Sequence, residues 1–204
     1  MADVKISVIY YSATGSVHAL AERAVHAAEA AGAEVRLRKV HELAPQQAID
    51  SNEGWAAHAL ATQDVPEASP DDVEWADGVL FGTPTRFGNV SAQLKQYLDT
   101  LGGLWGQGKL ADKAYGGFVS AGTQHGGQES TLLALYTTIH HFGGLVASPG
   151  YTDPSKFVDG NPYGASHVSA NGDNPPQEQD LTAVAYSATR AVQIAAQLKR
   201  GAAA

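Results

Sequence analysis

Residues 4–17 are Val4-Lys5-Ile6-Ser7-Val8-Ile9-Tyr10-Tyr11 followed by Ser12-Ala13-Thr14-Gly15-Ser16-Val17. The first eight are mostly apolar and rich in β-branched side chains, which predicts a buried strand. A helical pattern of apolar residues begins at Val17, and Gly32 stands where that helix should end. The stretch therefore predicts a strand, a short turn and a helix in immediate succession.

The turn between this strand and this helix has the composition of an anion site. It carries three hydroxyl residues and one glycine, with no lysine and no arginine. Backbone N–H groups at a helix N-terminus point at an anion, hydroxyls add donors, and glycine lets the backbone come close. The turn is neither a Walker A loop nor a G-x-G-x-x-G fingerprint, and it suits a phosphate monoester. The alternative is that these residues simply cap the first helix.

Composition excludes several classes of protein. With 204 residues, the chain is long enough for one sizeable core and short for two, so one domain over residues 1–204 is predicted. A net charge of -8 without a basic cluster argues against nucleic acid as a partner. The absence of cysteine excludes disulfides, thiol nucleophiles and iron–sulfur clusters. No apolar run reaches the ~20 residues of a membrane span and no signal peptide is recognisable, so we expect a cytoplasmic protein without membrane insertion.

Strand and helix patterns alternate along the chain. The predicted strands are Val4–Tyr11, Glu34–Val40, Gly78–Gly82, Tyr115–Ser120 and Leu145–Ser148. The predicted helices are Val17–Ala31, a short one near Asp71–Ala76, Ser91–Leu101, Gln128–Phe142 and Gln179–Leu198. Repeated βα units predict an α/β three-layer sandwich of the flavodoxin-like type, a five-stranded parallel sheet of order 2-1-3-4-5 with helices on both faces. The segments His41–Pro70 and Pro149–Gln177 are predicted to be irregular.

Ligands of such sheets bind beyond the carboxyl ends of the strands, so the loops after strands one, three and four bear on function. The loop after strand three is Gly82-Thr83-Pro84-Thr85-Arg86-Phe87-Gly88-Asn89-Val90, and Ser91 opens the next helix. A proline turn, a glycine and an N-cap serine explain Pro84, Gly88 and Ser91 as structure. The remaining trio, residues 85–87, has no such explanation. Its backbone N–H groups and its arginine would suit the ring edges of a flavin, which gain negative charge on reduction, with the phenylalanine packed beside the ring.

Two further loops contain residues that could contact a ligand. The loop after strand four is Ser120-Ala121-Gly122-Thr123-Gln124-His125-Gly126-Gly127-Gln128-Glu129. Its glycines permit close approach of the backbone to a ligand, or provide flexibility alone. Trp105 lies in Gly102-Gly103-Leu104-Trp105-Gly106, which suits an aromatic that stacks on a flat ligand as well as one that packs locally.

His140 and His141 stand near the end of a predicted helix, where adjacent side chains point in different directions. Such a pair does not provide two ligands to one metal ion, and histidines at this position usually interact with the helix C-terminus. We therefore predict no metal site.

These blocks together resemble the WrbA family of flavodoxin-like NAD(P)H:quinone oxidoreductases over nearly the whole chain. The blocks that carry the resemblance are Tyr10-Tyr11-Ser12, Gly82-Thr83-Pro84-Thr85-Arg86-Phe87-Gly88-Asn89, Gly102-Gly103-Leu104-Trp105, Gly126-Gly127-Gln128-Glu129, His140-His141 and Pro162-Tyr163-Gly164-Ala165. The second and third blocks are the specific ones, since a strand followed by a Ser/Thr-Gly turn is a weak signal alone.

The resemblance implies an FMN cofactor, NADH or NADPH as co-substrate, a quinone as second substrate, and a homotetramer with its sites near subunit contacts. It implies that FMN is bound by Ser12, Ala13, Thr14, Gly15, Ser16, Val17, Pro84, Thr85, Arg86, Phe87, Gly88, Asn89, Ser120, Ala121, Gly122, Thr123, Gln124, His125, Gly126 and His140. It also implies that Thr14 and Trp105 contact the substrates. The chain departs from the family at Thr14 and Ser16, where the family often has an aromatic residue and a histidine.

The leading hypothesis is a ping-pong cycle in which NAD(P)H gives a hydride to flavin N5 and leaves before a quinone takes two electrons. The protein then positions both rings and stabilises the reduced flavin, and no side chain is assigned as a catalytic residue. Two alternatives stay open: a one-electron carrier of the flavodoxin type, and a non-catalytic regulatory protein that binds another protein.

Overall fold

The computed structural model describes residues 4–202, which contain one parallel sheet with helices on both faces. The strands are β1 (Val4–Tyr10), β2 (Ala33–Lys39), β3 (Gly78–Pro84), β4 (Ala114–Ala121), β5 (Leu145–Val146) and β6 (Ala165–Val168). Their order is β2-β1-β3-β4-β5, with β6 also paired to β4, and every pairing is parallel. The predicted fold class and strand order are confirmed.

Two apolar cores, one on each face of the sheet, hold the helices. The helices are α1 (Ser16–Ala30), α2 (Gln46–Asp50), α3 (Glu53–Ala61), α4 (Pro70–Trp75), α5 (Ala92–Thr100), α6 (Gly102–Gly106), α7 (Gln128–Phe142), α8 (Pro154–Asp159) and α9 (Glu178–Ala202). One core lies beneath α1 and α9, where Leu20 and Ala188 are fully buried. The other lies beneath α4, α5 and α7, where Leu94 and Leu132 are fully buried. Among residues 4–202, no helix combines the length and apolar character needed to cross a membrane.

The fifth position of the sheet differs from the prediction, because two short strands share it. β5 pairs with the start of β4, and β6 pairs with its end. Residues 147–164 leave the sheet between the two and include α8. The predicted strand Leu145–Ser148 therefore stops at Val146, and a strand inside the segment predicted to be irregular completes the position.

A buried ion pair holds residues 147–164 against the sheet. Lys156 of α8 is fully buried, and its Nζ donates to the carboxylate of Asp159 and, at 2.8 Å, to the backbone oxygen of Gly164. Asp159 also accepts from the backbone N–H of Ser166, on β6, at 3.3 Å. Burial lowers the pKa of Lys156 below its usual value, although the charge of Asp159 opposes the shift. The pair thus links α8 to the start of β6.

The segment His41–Pro70 is also more regular than predicted. It contains α2 and α3, and α4 begins at its last residue. The first of these helices buries only Ile49, and the second buries no side chain fully. Because neither has an apolar stripe, hydrophobic periodicity could not reveal them.

Candidate functional site

A cleft opens at the carboxyl edge of the sheet, where β1, β3 and β4 end. Its cavity volume is about 200 Å³, and it is open to solvent on one side. The lining residues are Ser12, Ala13, Thr14, Ser16, Val17, Pro84, Thr85, Arg86, Ser120, Ala121, Gly122, Ser169 and Asn171. The structure thus brings together the three loops that the sequence singled out and adds a fourth segment, which follows β6.

The turn between β1 and α1 leaves the N-terminus of α1 without a side-chain cap. Gly15 is the N-cap residue, and its φ of 101° is a left-handed conformation that suits glycine. Its N–H donates to Oγ of Ser12 at 3.1 Å, which tightens the turn. Because the N-terminal amides of a helix carry partial positive charge, this end of the cleft can bind an anion.

The loop after β3 forms a tight turn at the rim of the cleft. Arg86 and Asn89 exchange both backbone hydrogen bonds, at 2.8 and 3.0 Å, around Phe87 and Gly88. The two central residues have positive φ values of 52° and 76°, as a type I′ turn requires. Phe87 is fully exposed, and its left-handed backbone costs about 1 kcal/mol or more because it is not glycine. Exposure and strain together make Phe87 a candidate ligand contact.

The helix after β4 holds this turn in place. Oγ of Ser130 donates to the backbone oxygen of Gly88 at 3.2 Å, and Oγ1 of Thr131 lies 3.2 Å from Oγ1 of Thr85. The backbone N–H of Thr85 donates to the oxygen of Ser120 at 2.8 Å. The loops after β3 and β4 therefore form one connected wall.

The loop after β4 reaches the cleft only with its first residues. Thr123 and Gly126 close a short turn through a 3.1 Å hydrogen bond from the N–H of Gly126 to the oxygen of Thr123. Gln124 and His125 lie in a separate groove, which α8, β6 and the start of α9 complete. The structure does not bring these two side chains into the cleft.

A fourth wall comes from residues 169–172, inside a segment predicted to be irregular. Ser169 and Asn171 line the cleft, and both Ala170 and Asn171 have positive φ values, 47° and 60°. A Cβ at Gly122 would lie 2.6 Å from Oδ1 of Asn171, so glycine allows the two segments to meet. The Asn171-Gly172 pair is a turn signal in the sequence, but it does not indicate which loop the turn faces.

Helix α3 packs against the anion-binding turn. A Cβ at Gly15 would lie 3.5 Å from Nδ1 of His58. The rings of His58 and His18 are 5.3 Å apart between centroids, and Nδ1 of His18 lies 2.6 Å from the hydroxyl of Tyr10. Burial, and then the charges of His18 and Lys39, lower the pKa of His58 to about 4. The sequence gives no signal for His58, because the segment around it shows no apolar periodicity.

Trp105 and His140 lie at the opposite edge of the sheet from the cleft. Trp105 is in α6, which precedes β4, and His140 is near the end of α7, which precedes β5. Nε1 of Trp105 donates to the backbone oxygen of His141 at 2.7 Å, so the two helix ends touch. Both side chains are exposed, that of Trp105 by 55%. Because parallel strands have their amino ends along one edge, neither residue reaches the cleft of its own chain.

The donor set of the cleft fits a phosphorylated flavin. The uncapped end of α1 and the hydroxyls of Ser12, Thr14 and Ser16 suit the phosphate. The cleft continues between Thr85 and Gly122, where the loops after β3 and β4 both contribute to its lining. A flat ring can enter such a space between two loops.

Sequence comparison identifies relatives over nearly the whole chain. The family model for NADPH-dependent FMN reductase matches residues 4–153. A Deinococcus radiodurans protein named NAD(P)H dehydrogenase (quinone) is 48% identical over 198 residues, covering 97% of this chain and 98% of the relative. A Geobacter sulfurreducens protein of the same name is 39% identical over 202 residues, covering 96% of this chain and 99% of the relative.

Solved structures support the fold. A WrbA-like flavodoxin from Agrobacterium tumefaciens has a TM-score of 0.66 at 24% identity, covering 96% of this chain and 99% of the other. Flavodoxin 1 of Bacillus cereus has a TM-score of 0.60 at 13% identity, covering 93% and 97%. The identities to these two structures are low, so the structures support the shared fold alone. The family model and the relatives at 39% and 48% identity show to which family the chain belongs. The resemblance to the WrbA family is thus confirmed, and the chain belongs to the NADPH-dependent FMN reductase family, among relatives named NAD(P)H dehydrogenase (quinone).

Proposed function

We propose that the protein is an FMN-dependent NAD(P)H:quinone oxidoreductase. The observation that carries the proposal is the uncapped N-terminus of α1 at one end of a cleft between three loops of the parallel sheet. It supports a phosphate held by backbone amides and a flat ring held between the loops after β3 and β4. The relatives that bear this name match along nearly their whole length, which supports the same activity here.

The first three loops supply the cofactor contacts of this proposal. The FMN-binding residues are Ser12, Ala13, Thr14, Gly15, Ser16, Val17, Pro84, Thr85, Arg86, Phe87, Gly88, Asn89, Ser120, Ala121 and Gly122. Bound FMN would supply the redox chemistry, which is two-electron transfer from NAD(P)H to a quinone with the substrates taken in ping-pong order. Thr14, at the mouth of the turn, is proposed to contact the nicotinamide as well.

The loop after β3 retains two donors for the ring edge that becomes negative on reduction. The N–H groups of Thr85 and Arg86 already donate to protein oxygens, whereas within residues 4–202 no acceptor meets the N–H of Phe87. The guanidinium of Arg86 is exposed at the same rim. Fixed donors of this kind stabilise developing negative charge without a proton transfer. Their role in the mechanism is therefore to hold the ring and favour its reduced form.

We further propose a homotetramer in which another copy of the chain completes each cleft. The resemblance assigns His140 to the flavin and Trp105 to the substrates, and both stand at the edge opposite their own cleft. These assignments therefore require a second chain. On α8, Phe157 and Val158 are 71% and 68% exposed, an apolar surface that a subunit contact would cover.

Three broader expectations are part of the same proposal. Residues 1–204 act as one domain, the protein is cytoplasmic, and it binds no nucleic acid. Both helical layers pack on a single sheet within residues 4–202, which supports the first of these. The overall charge of -8 supports the last.

An anaerobic visible spectrum of the protein reconstituted with FMN tests the activity. NADH or NADPH should bleach the flavin band, benzoquinone should restore it, and the faster nicotinamide identifies the donor. A Thr14→Pro variant that keeps its far-ultraviolet circular dichroism should bind no flavin, because proline disturbs the turn. Flavin that binds without being reduced would indicate a carrier, and a wild-type protein that binds no FMN overturns the proposal.

Mixed oligomers test whether two chains share a cleft. Trp105→Ala leaves the cleft of its own chain intact, and Thr14→Pro leaves Trp105 intact. Trp105→Ala alone should raise KM for the quinone or the nicotinamide, and Thr14→Pro alone should be inactive. Oligomers refolded from both chains should contain sites with normal KM. If the kinetics of the mixed oligomers are only the average of those of the two variants, the shared cleft is contradicted. Light scattering must show the same tetramer in all samples for this comparison to hold.

A further inference from the structure

We propose that His58, on α3, binds the phosphate group of the cofactor. The inference rests on the proposed function, since it assumes a phosphate monoester at the turn before α1. It goes beyond that function by assigning a contact to a helix outside the loops at the ends of β1, β3 and β4. The ligand would be held by backbone amides of α1 and by an imidazole of α3.

Helix α3 lies directly on the turn. In its first turn, a Cβ added at Gly54 would lie 3.9 Å from Cγ2 of Thr14. One turn later, a Cβ added at Gly15 would lie 3.5 Å from Nδ1 of His58. The side chain of Asn52 caps the helix by accepting a backbone N–H at 3.0 Å, which fixes where α3 begins. Because Gly15 has no side chain, the imidazole faces the backbone of the turn directly.

The ring of His58 has unused donor capacity. It is half-buried, and neither ring nitrogen has a hydrogen-bond partner in the described part of the chain. Its neighbour His18 is committed, with Nδ1 2.6 Å from the hydroxyl of Tyr10 and Nε2 3.4 Å from the carboxylate of Glu22. A partly buried imidazole with a free N–H beside an anion-binding turn can donate a charge-assisted hydrogen bond to a phosphate.

The cavity lined by His58 contains one lysine and two carboxylates, and only the lysine lacks a partner of opposite charge or a protonated donor in residues 4–202. Nζ of Lys39 donates to the backbone oxygen of Thr62 at 2.6 Å, and no carboxylate of residues 4–202 forms an ion pair with it. The carboxylates that line the same cavity, Glu42 and Glu67, have other partners: Glu42 accepts from the hydroxyl of Tyr11, and Glu67 pairs with His41. A cation without an acidic partner therefore remains on the same side of the turn as His58.

The state of His58 before binding is consistent with this role. Burial comes first among the causes that lower its pKa to about 4, followed by His18 and Lys39. At neutral pH the flavin-free site therefore holds an uncharged imidazole, which can donate one N–H. A phosphate dianion brought next to it favours the protonated form, so the contact strengthens when the ligand arrives.

A comparison of FMN with riboflavin isolates the phosphate contact, because the two differ only in that group. We would measure both dissociation constants by fluorescence quenching for the wild type, His58→Ala and His58→Gln. A charge-assisted hydrogen bond predicts that His58→Ala raises the Kd for FMN about tenfold or more and leaves the Kd for riboflavin within about twofold. His58→Gln, which keeps an N–H donor, should lose less. The control is His26→Gln, because His26 is an exposed histidine of α1 with 74% of its side chain accessible.

The outcomes separate this inference from the proposed function. Equal losses for FMN and riboflavin would mean that α3 supports the fold of the site, and no loss for either would mean that His58 does not touch the ligand. Both results overturn the inference while the wild type still turns over NAD(P)H and quinone. A wild type that binds neither flavin overturns the proposed function and the inference together.

Discussion

Replacing Lys156 with methionine should destabilise the protein and loosen the fourth wall of the cleft. The substitution keeps most of the side-chain volume but removes the ammonium group that donates to Asp159 and to the oxygen of Gly164. The carboxylate of Asp159, only 2% exposed, then stays buried without its cation. Its remaining partners are N–H and hydroxyl groups, such as the backbone N–H of Ser166.

The size of the effect follows from that burial. Removing one partner of a buried ion pair costs about 3–5 kcal/mol, because the other charge is left uncompensated. For a chain of this length, about 4 kcal/mol lowers Tm by roughly 10 °C. Replacing both partners should cost much less, since apolar groups of similar size often substitute for a buried pair without net loss. We therefore expect Lys156→Met combined with Asp159→Leu to recover part of the stability, although the oxygen of Gly164 still lacks its donor.

Urea unfolding of the flavin-free protein, followed by circular dichroism, gives the free energies of the single and double variants. FMN titration of the same samples reports on the wall that contains Ser169 and Asn171, which should bind more weakly when β6 is loose. A single variant that loses less than about 1 kcal/mol refutes the reasoning, since it would mean that the buried carboxylate is protonated or reaches water. A double variant no better than the single one would refute it as well.

Three further predictions concern the turn, the sheet and the rim. The pKa of His58 is lowered to about 4 in the folded protein, against about 6.5 in an unfolded chain, so the unfolded state binds more protons between these values. The flavin-free protein should thus lose stability as pH falls from 7 to 4, and the His58→Gln variant should lose less. Urea midpoints measured at each pH test this, and equal losses of stability in both proteins would contradict it. A Cβ at Gly82 would lie 2.3 Å from the ring of Phe118, so Gly82→Ala should cost about 1–3 kcal/mol, and an unchanged urea midpoint would mean that the ring moves aside freely. Phe87→Asn should raise stability by roughly 1 kcal/mol by relieving the left-handed backbone at this position while weakening flavin or substrate binding; a variant with both properties unchanged would remove Phe87 from the site.

The strands at the centre of the sheet were predictable because strands buried on both faces consist mostly of apolar residues, and the loops that follow them could then be located. β1 and β4 are covered on both faces, so they read as apolar runs, and α1 carries its buried residues at helical spacing. Once the strand order is known, the carboxyl edge of the sheet brings residues 12–17, 84–86 and 120–122 to one cleft. That part of the site needed only the pattern and the topology.

The parts that the sequence did not predict depend on distant contacts. β6 has four residues, and it is a strand because it meets the end of β4, more than forty residues earlier in the chain. Helix α3 buries no side chain fully, so its sequence has no stripe that could place His58 on the turn. Trp105 and His140 do not depend on a distant contact in this way. Each stands near the end of a helical connection between two parallel strands, and the strand order alone places that end at the amino edge of the sheet. The resemblance assigned them to the site, and only the connectivity shows that they cannot belong to their own chain's cleft.

The division of the fifth sheet position between β5 and β6 also affects how the protein folds and how incomplete chains aggregate. Until residues 165–168 have been synthesised and have paired, the carboxyl half of β4 is an open edge whose residues, once folded, are all buried. An apolar, unpaired edge is a template for strands of other chains. Chains cut short before β6 should therefore aggregate through the strand that lines the cleft, instead of remaining as folded proteins with a weakened site.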